Sequence, residues 1–193
     1  MRKTEIKRTT KETDILLALD LDGSGKAEIS TGIGFFDHML TAFAVHSGID
    51  LKVSCKGDLE VDGHHTVEDV GIALGQAFLE AVGDKAGIER YGSFMLPMDE
   101  SLALAAIDIS GRPYLVFDAA FTAPMIGDYD TQLTEEFWRA FAMNSKTTLH
   151  IKLMYGANDH HKAEAIYKAA AHAIKAAIAK NKDGALLSTK GCL

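Results

Sequence analysis

The hydrophobic positions along the chain run through the same pattern twice. In "LALDLDGSGKAEIS" (17–30) apolar residues alternate with polar ones, a glycine-containing turn follows, and a second short alternation begins. "LAAIDISGRPYLVF" (104–117) does the same. Period-two alternation around such a turn predicts paired strands. Apolar residues then recur at helical spacing in "FFDHMLTAFAVH" (35–46) and again in "TQLTEEFWRAFAMN" (131–144). A strand-like stretch comes next in each round, "IDLKVSC" (49–55) and "TTLHIKLMY" (147–155). Each round closes on a long helix. In the first, Val67, Val70, Leu74 and Phe78 recur every three or four residues. The second, "AEAIYKAAAHAIKAAIAK", is made largely of strong helix formers. Asp62 and Asp159 stand just ahead of these helices as expected N-caps. Strands followed by helices, twice, predict an α+β fold in which helices pack on antiparallel sheets. The expected organisation is one domain of two similar halves, about 1–89 and 90–193.

Composition narrows the function classes. The chain has 193 residues, 47% of them apolar and 24% charged, as in ordinary globular proteins. It contains no run near the roughly 20 apolar residues that a membrane span needs, and its charged start resembles no export signal. A net charge of −7 argues against a general nucleic-acid binder, which needs a basic face. The two cysteines, Cys55 and Cys192, form no disulfide framework and fit a reducing, cytoplasmic setting.

The eight histidines change the picture. Four of them form two doublets: "DGHHTVEDVG" carries His64, His65 and Glu68, and "NDHHKAEAIY" carries His160, His161 and Glu164. The doublets lie 96 residues apart, from position 64 to position 160. Adjacent helical residues diverge by about 100°, so the two rings of a doublet cannot share one target. His64 and Glu68, like His160 and Glu164, are i and i+4 and share a face. Each motif therefore reads as one His–Glu clamp plus one ring offered to a different metal. Two motifs could serve two metals, each taking a clamp from one half and a lone ring from the other. The positive end of the helix dipole is expected to keep the rings neutral for coordination. By spacing alone the metal stays open among Zn, Fe, Cu, Ni and Mn.

His38 in "GFFDHML" and His150 in "TTLHIKL" could complete the shells. At the 96-residue offset they fall opposite Thr134 and Ser54, so the halves do not supply them symmetrically. His46 closes a helix, where a C-terminal contact explains it. His172, within a helix, reads as an ordinary core or surface residue. An anion would be met by Arg90 in "GIERYG", Arg112 in "ISGRPYL", Lys168 on the second doublet helix, and Ser188, Thr189 and Lys190 in "STKG". Glu5, Asp99 and Glu100 are carboxylates available for proton transfer.

The segments "GIGFFDHML", "DGHHTVEDVGIALG", "ISGRPYL", "GANDHHKAEAIYKA" and "STKG" occur in that order, and together they resemble the imidazoleglycerol-phosphate dehydratases of histidine biosynthesis. The resemblance covers nearly the whole chain, without a phosphatase-like extension. It implies a duplicated half-domain of the ribosomal protein S5 domain 2-like type, with helices between two four-stranded sheets. It also implies two Mn(II) ions per active site and a shell of twenty-four subunits with active sites between them. Carried over residue by residue, the metal ligands would be His38, His64, His65, Glu68, His150, His160, His161 and Glu164. Arg90, Arg112, Lys168, Ser188, Thr189 and Lys190 would bind substrate, chiefly its phosphate. Glu5 would meet the reacting glycerol part, His46 would line the site, and His38, His64, Glu68 and His160 would face the substrate as well as metal. "STKG" departs from the commoner "SSKG" but keeps a hydroxyl. Gly63 stands where an acidic residue often precedes the doublet.

The implied reaction removes water from the glycerol chain to give imidazole acetol phosphate. The departing proton sits on a carbon with no neighbouring carbonyl, so the imidazole must act as electron sink, as a metal-held imidazolate. Glu5 is the candidate for proton transfer, with Asp99 or a bound water as rivals. Two other functions fit paired metals: a dinuclear hydrolase and a metal-storage shell. Arg90, Arg112 and Lys190 count against storage, which has no use for a phosphate handle.

Overall fold

The computed structural model describes residues 2–182 and 184–191; Cys192 lies outside them. The elements run β1 (Lys3–Thr9), β2 (Thr13–Asp20), β3 (Ala27–Ser30), α1 (Gly34–Ser47), β4 (Asp50–Gly57) and α2 (His64–Val82). They continue as β5 (Tyr91–Met98), β6 (Ser101–Asp108), β7 (Tyr114–Asp118), the short pair β8 (Met125–Ile126) and β9 (Tyr129–Asp130), α3 (Leu133–Ser145), β10 (Thr148–Tyr155) and α4 (Asp159–Ile178). One sheet has the order β1-β2-β4-β3 and the other β5-β6-β10-β7. In both, the third strand of the half joins the sheet in parallel and the other pairs are antiparallel. The fold is α+β with sheets flanking helices: α2 packs on β1, β2 and β4, α4 on β5, β6 and β10, and the helices meet as α2 on α3 and α1 on α4.

Alternation explains which strands were legible. In β2 and β6 every second side chain is buried, which matches the pattern read from sequence. β1 and β5 are edge strands that bury little: β1 is largely polar, while Tyr91, Phe94 and Met95 of β5 are apolar but exposed, so neither shows a buried alternating face. The helix periodicity holds in detail, since Val67, Val70, Leu74 and Phe78 are all essentially inaccessible. Between the layers, Phe36, Phe137, Trp138, Tyr129 and Tyr167 meet at ring distances of 4.9–6.0 Å. Close approach of α2 to α3 depends on Gly71 and Gly75. A Cβ at Gly71 would lie 2.8 Å from the Phe137 carbonyl oxygen, and one at Gly75 2.7 Å from that of Phe141.

Two details of the sequence reading are corrected. The constant 96-residue offset fails because turns differ in length between the halves. Strand pairing sets Lys52 opposite Ala18 and His150 opposite Ala106, and each alanine is the sixth residue of its strand, so His150 corresponds to Lys52 rather than Ser54. The left-handed caps Gly48 and Lys146 align α1 with α3 and set His38 against Glu136, not Thr134. The cap of α4 is likewise Asn158, whose side chain accepts from the His160 and His161 amides. Asp159 lies one residue later and points inward. It accepts from the Thr122 and Ala123 amides and pairs with Lys162 at 2.7 Å.

Candidate active site

The start of α4 builds the tightest cluster. With Asn158 fixing the first turn, His160 and Glu164 project from one face, His160 Nε2 lying 3.2 Å from Glu164 Oε2. Packing of α1 on α4 brings His38 Nε2 to 3.8 Å from the same oxygen. Phe35, one turn before His38, sets its ring edge against both imidazoles at 6.3 and 5.0 Å. One ligand atom from each of His38, His160 and Glu164 lies within 4.8 Å of the others, and no other such trio of His, Cys, Asp or Glu occurs among the described residues. Two imidazoles and a carboxylate suit a first-row divalent cation. The geometry therefore fits the metal that the sequence resemblance implies. Burial would raise the Glu164 carboxyl, but Lys168 Nζ at 2.6 Å outweighs it and holds the group below its ordinary value.

The first doublet makes a more open clamp. His64 Nε2 stands 3.7 Å from Glu68 Oε2, and both side chains are nearly half exposed. The N-cap of α2 is Gly63 rather than the expected Asp62, which lies one residue earlier and accepts from the His64 amide at 2.7 Å. The rings of each doublet diverge as the helical geometry requires, crossing at 85° for His64 and His65 and at 82° for His160 and His161.

The lone rings are held by carboxylates. His65 Nδ1 faces Asp58 at 3.0 Å, and His161 Nδ1 faces Glu100 at 2.7 Å. Their Nε2 atoms look toward Glu12 at 3.8 Å and Asp99 at 3.6 Å. Hydrogen bonds to Asp58 and Glu100 raise the pKa of these two rings. This reverses the expectation for them from the helix dipole, because a direct carboxylate contact outweighs a partial charge spread over one turn.

Glu5 and the predicted metal ligand His150 are not brought to either clamp. Thr4 and Arg8 of β1 contact Glu80 and Asp69 of α2, so the even positions face the helix. Glu5 therefore points outward. It lines an open cleft of about 480 Å³ on the first sheet with Lys3, Lys26 and Lys52. On β10, Leu149 and Ile151 are buried while His150 is exposed on the outer face, away from α4.

The basic residues divide. Arg90 adopts φ +66° and is 8% exposed. Its guanidinium bonds both oxygens of Asp108, at 2.7 and 3.2 Å, and the Leu187 carbonyl at 2.5 Å. It thus ties the C-terminal segment with Ser188, Thr189 and Lys190 to the end of β6. Arg112 also reaches Asp108, at 3.5 Å, with its side chain largely exposed, as are Thr189 and Lys190. His46 pairs through Nδ1 with His172 Nε2 at 3.2 Å, and His172 stacks on Phe94 at 4.4 Å. His172 is therefore no isolated helical histidine. Sequence reading also passed over Asp58, Glu12 and Asp108. Each lies outside the repeated motif and acquires its partner only through tertiary packing.

Comparison with known proteins agrees with this architecture. The family model described as imidazoleglycerol-phosphate dehydratase matches residues 31–174. The chain is 57% identical over 195 residues to the imidazoleglycerol-phosphate dehydratase of Clostridioides difficile, with 100% of both chains covered. It is 56% identical over 191 residues to that of an Exiguobacterium species, covering 99% of this chain and 98% of the relative. The crystal structure of the Staphylococcus aureus enzyme superposes with a TM-score of 0.85 at 42% identity, covering 93% of this chain and 99% of that one. The IGPD structure from Pyrococcus furiosus gives 0.84 at 38% identity, covering 97% and 100%.

Proposed function

We infer the function from one premise: the chain belongs to the imidazoleglycerol-phosphate dehydratase family, and it is a hydro-lyase. Its reaction is the dehydration of imidazoleglycerol phosphate in histidine biosynthesis. The finer reading is ours. The site takes two divalent cations, Mn(II) by resemblance, and works in the cytoplasm in a shell of twenty-four copies.

The observation that carries this reading is the trio His38, His160 and Glu164, together with the repeated His–Glu clamp at the start of α2. When bound, the cations would supply Lewis acidity that turns the substrate imidazole into an electron sink. His38, His160 and Glu164 would hold one of them, and His64 with Glu68 would supply the second clamp. His65 and His161 diverge from their own clamps, and His150 faces away from both, which supports completion of each shell by other copies of the chain.

The remaining residues bind and orient. Arg112, Lys190, Thr189, Ser188 and Lys168 would take the phosphate, with Arg90 holding the C-terminal segment against Asp108. His46 would line the same region. Glu5 would move the carbon-bound proton, presented by a neighbouring copy since it faces outward here. Asp99 is its rival; Glu100 is less suited, because two backbone amides and His161 already occupy its oxygens. Phe35, buried against His38 and His160, would help exclude water from that clamp.

The direct test is to incubate purified, Mn(II)-loaded protein with imidazoleglycerol phosphate and follow the acetol product. Turnover lost on chelation and restored by Mn(II) supports the reading. Metal bound without turnover favours a storage shell.

A further inference from the structure

We propose that Asp58 and Glu100 are positioning residues that fix the tautomer of His65 and His161, placing the proton on Nδ1 and leaving Nε2 bare toward the metal. The proposal rests on the metal reading above. An ionised carboxylate only accepts hydrogen bonds, so a ring nitrogen facing it at 2.7–3.0 Å must carry the proton. A neutral imidazole then has its lone pair on the other nitrogen. The clamp rings His38, His64 and His160 also meet their carboxylates through Nε2. His65 Nε2 and His161 Nε2 lie 3.8 Å from Glu12 and 3.6 Å from Asp99, beyond hydrogen-bonding distance, so that nitrogen is left for a cation.

Glu100 is itself held in place. Oε1 accepts from the Asn158 amide at 2.7 Å and the Ala157 amide at 3.1 Å, and Ser101 Oγ donates to it at 3.1 Å. Oε2 is left for His161. Such a carboxylate behind a ligating histidine fixes ring orientation and raises ligand strength.

The two orienting acids are not copies of each other. Glu100 directly precedes β6, and its counterpart before β2 is Glu12, which faces the opposite nitrogen of His65. Asp58 instead follows β4. The halves therefore reach the same Nδ1–carboxylate contact by different residues. Inheritance from one duplicated motif does not explain that agreement, whereas a shared demand on the ring does.

The test uses Glu100→Gln and Asp58→Asn in the full chain. In Glu100→Gln an oxygen remains for the Ala157 and Asn158 amides, while the new NH2 group can donate to Nδ1 and favour the wrong tautomer. Mn(II) titration followed by the EPR signal of the free ion should show binding weakened about 10- to 100-fold in each variant. Solid-state 15N spectra of histidine-labelled, metal-free Glu100→Gln protein should show one ring proton moved from Nδ1 to Nε2, a change that loss of a merely structural contact would not give. Should Glu100→Gln fail to fold, Asp58→Asn carries the same two measurements on His65. His161→Ala separates the two claims. If it weakens Mn(II) binding while both amide variants bind as wild type, the positioning role is overturned and the metal reading stands. If His161→Ala itself binds Mn(II) as wild type, the metal role of this ring falls, and the proposal with it.

Discussion

His46 Nδ1 and His172 Nε2 lie 3.2 Å apart, joining the end of α1 to the middle of α4. Burial, then the charges of Lys168 and His172, lower the pKa of His46, and burial and Lys175 lower that of His172. One ring must donate and the other accept, so the pair is compatible with neutral rings and opposed by protonation of both.

Folded-state values below the ordinary His pKa of about 6.5 fix the sign of the pH effect. The contribution to stability is fully present above that value and is lost as pH falls through the lowered folded values. Between pH 7 and pH 5 the thermal midpoint of the wild type should therefore fall more than that of a His46→Gln, His172→Gln double variant. Equal slopes in a thermal melt series would remove the pair as the cause. His65 and His161 act with opposite sign, since their raised values contribute below the ordinary pKa and fade as pH rises. The variant comparison cancels them.

Lys162 and Asp159 form an ion pair with side chains 3% and 7% exposed. Burial raises the Asp159 carboxyl, but Lys162 and the Ala123 and Thr122 donors prevail and leave it well below its ordinary value. Lys162→Met removes one charge and leaves the other buried, which should cost about 3–5 kcal/mol. Urea unfolding of metal-free protein measures it.

Gly71→Ala should separate α2 from α3. The added methyl would lie 2.8 Å from the Phe137 carbonyl and 2.9 Å from Ala140 Cβ, neither of them a flexible side-chain end. Overpacking of this kind costs about 1–3 kcal/mol. Calorimetry should show the lower midpoint, whereas an unchanged midpoint would mean that the helices can give way.

Arg90→Lys keeps the charge but cannot reproduce the fork that grips Asp108 while reaching Leu187. The C-terminal segment should lose its tether. The expected result is a KM for the phosphorylated substrate raised roughly tenfold or more, on the scale of a lost charge-assisted hydrogen bond, with kcat less affected. A fall in kcat at constant KM would place Arg90 elsewhere in the mechanism.

These cases show how far the sequence could be read. The helices and inner strands announced themselves because each buries one face, and the doublets announced themselves because i,i+4 spacing fixes His160 against Glu164 before any tertiary contact forms. Edge strands β1 and β5 bury too little to leave a pattern. The partners of the lone rings were illegible for another reason. Asp58, Glu12 and Glu100 reach the histidines only through loops whose lengths differ between the halves, so no periodicity points to them. His172 looked ordinary for the same reason, as its partner His46 is 126 residues away in sequence.

The proposal stands most directly on one geometric observation: His150 and Glu5 face outward, as completion of the proposed site by more than one copy requires. His150→Ala and His38→Ala shells, each inactive alone, can be dissociated by metal removal, mixed and reassembled with Mn(II). If the two side chains reach a common site from different copies, mixed shells should recover dehydratase activity that neither parent has. No recovery at any mixing ratio, in shells shown by mass spectrometry to contain both variants, would contradict it.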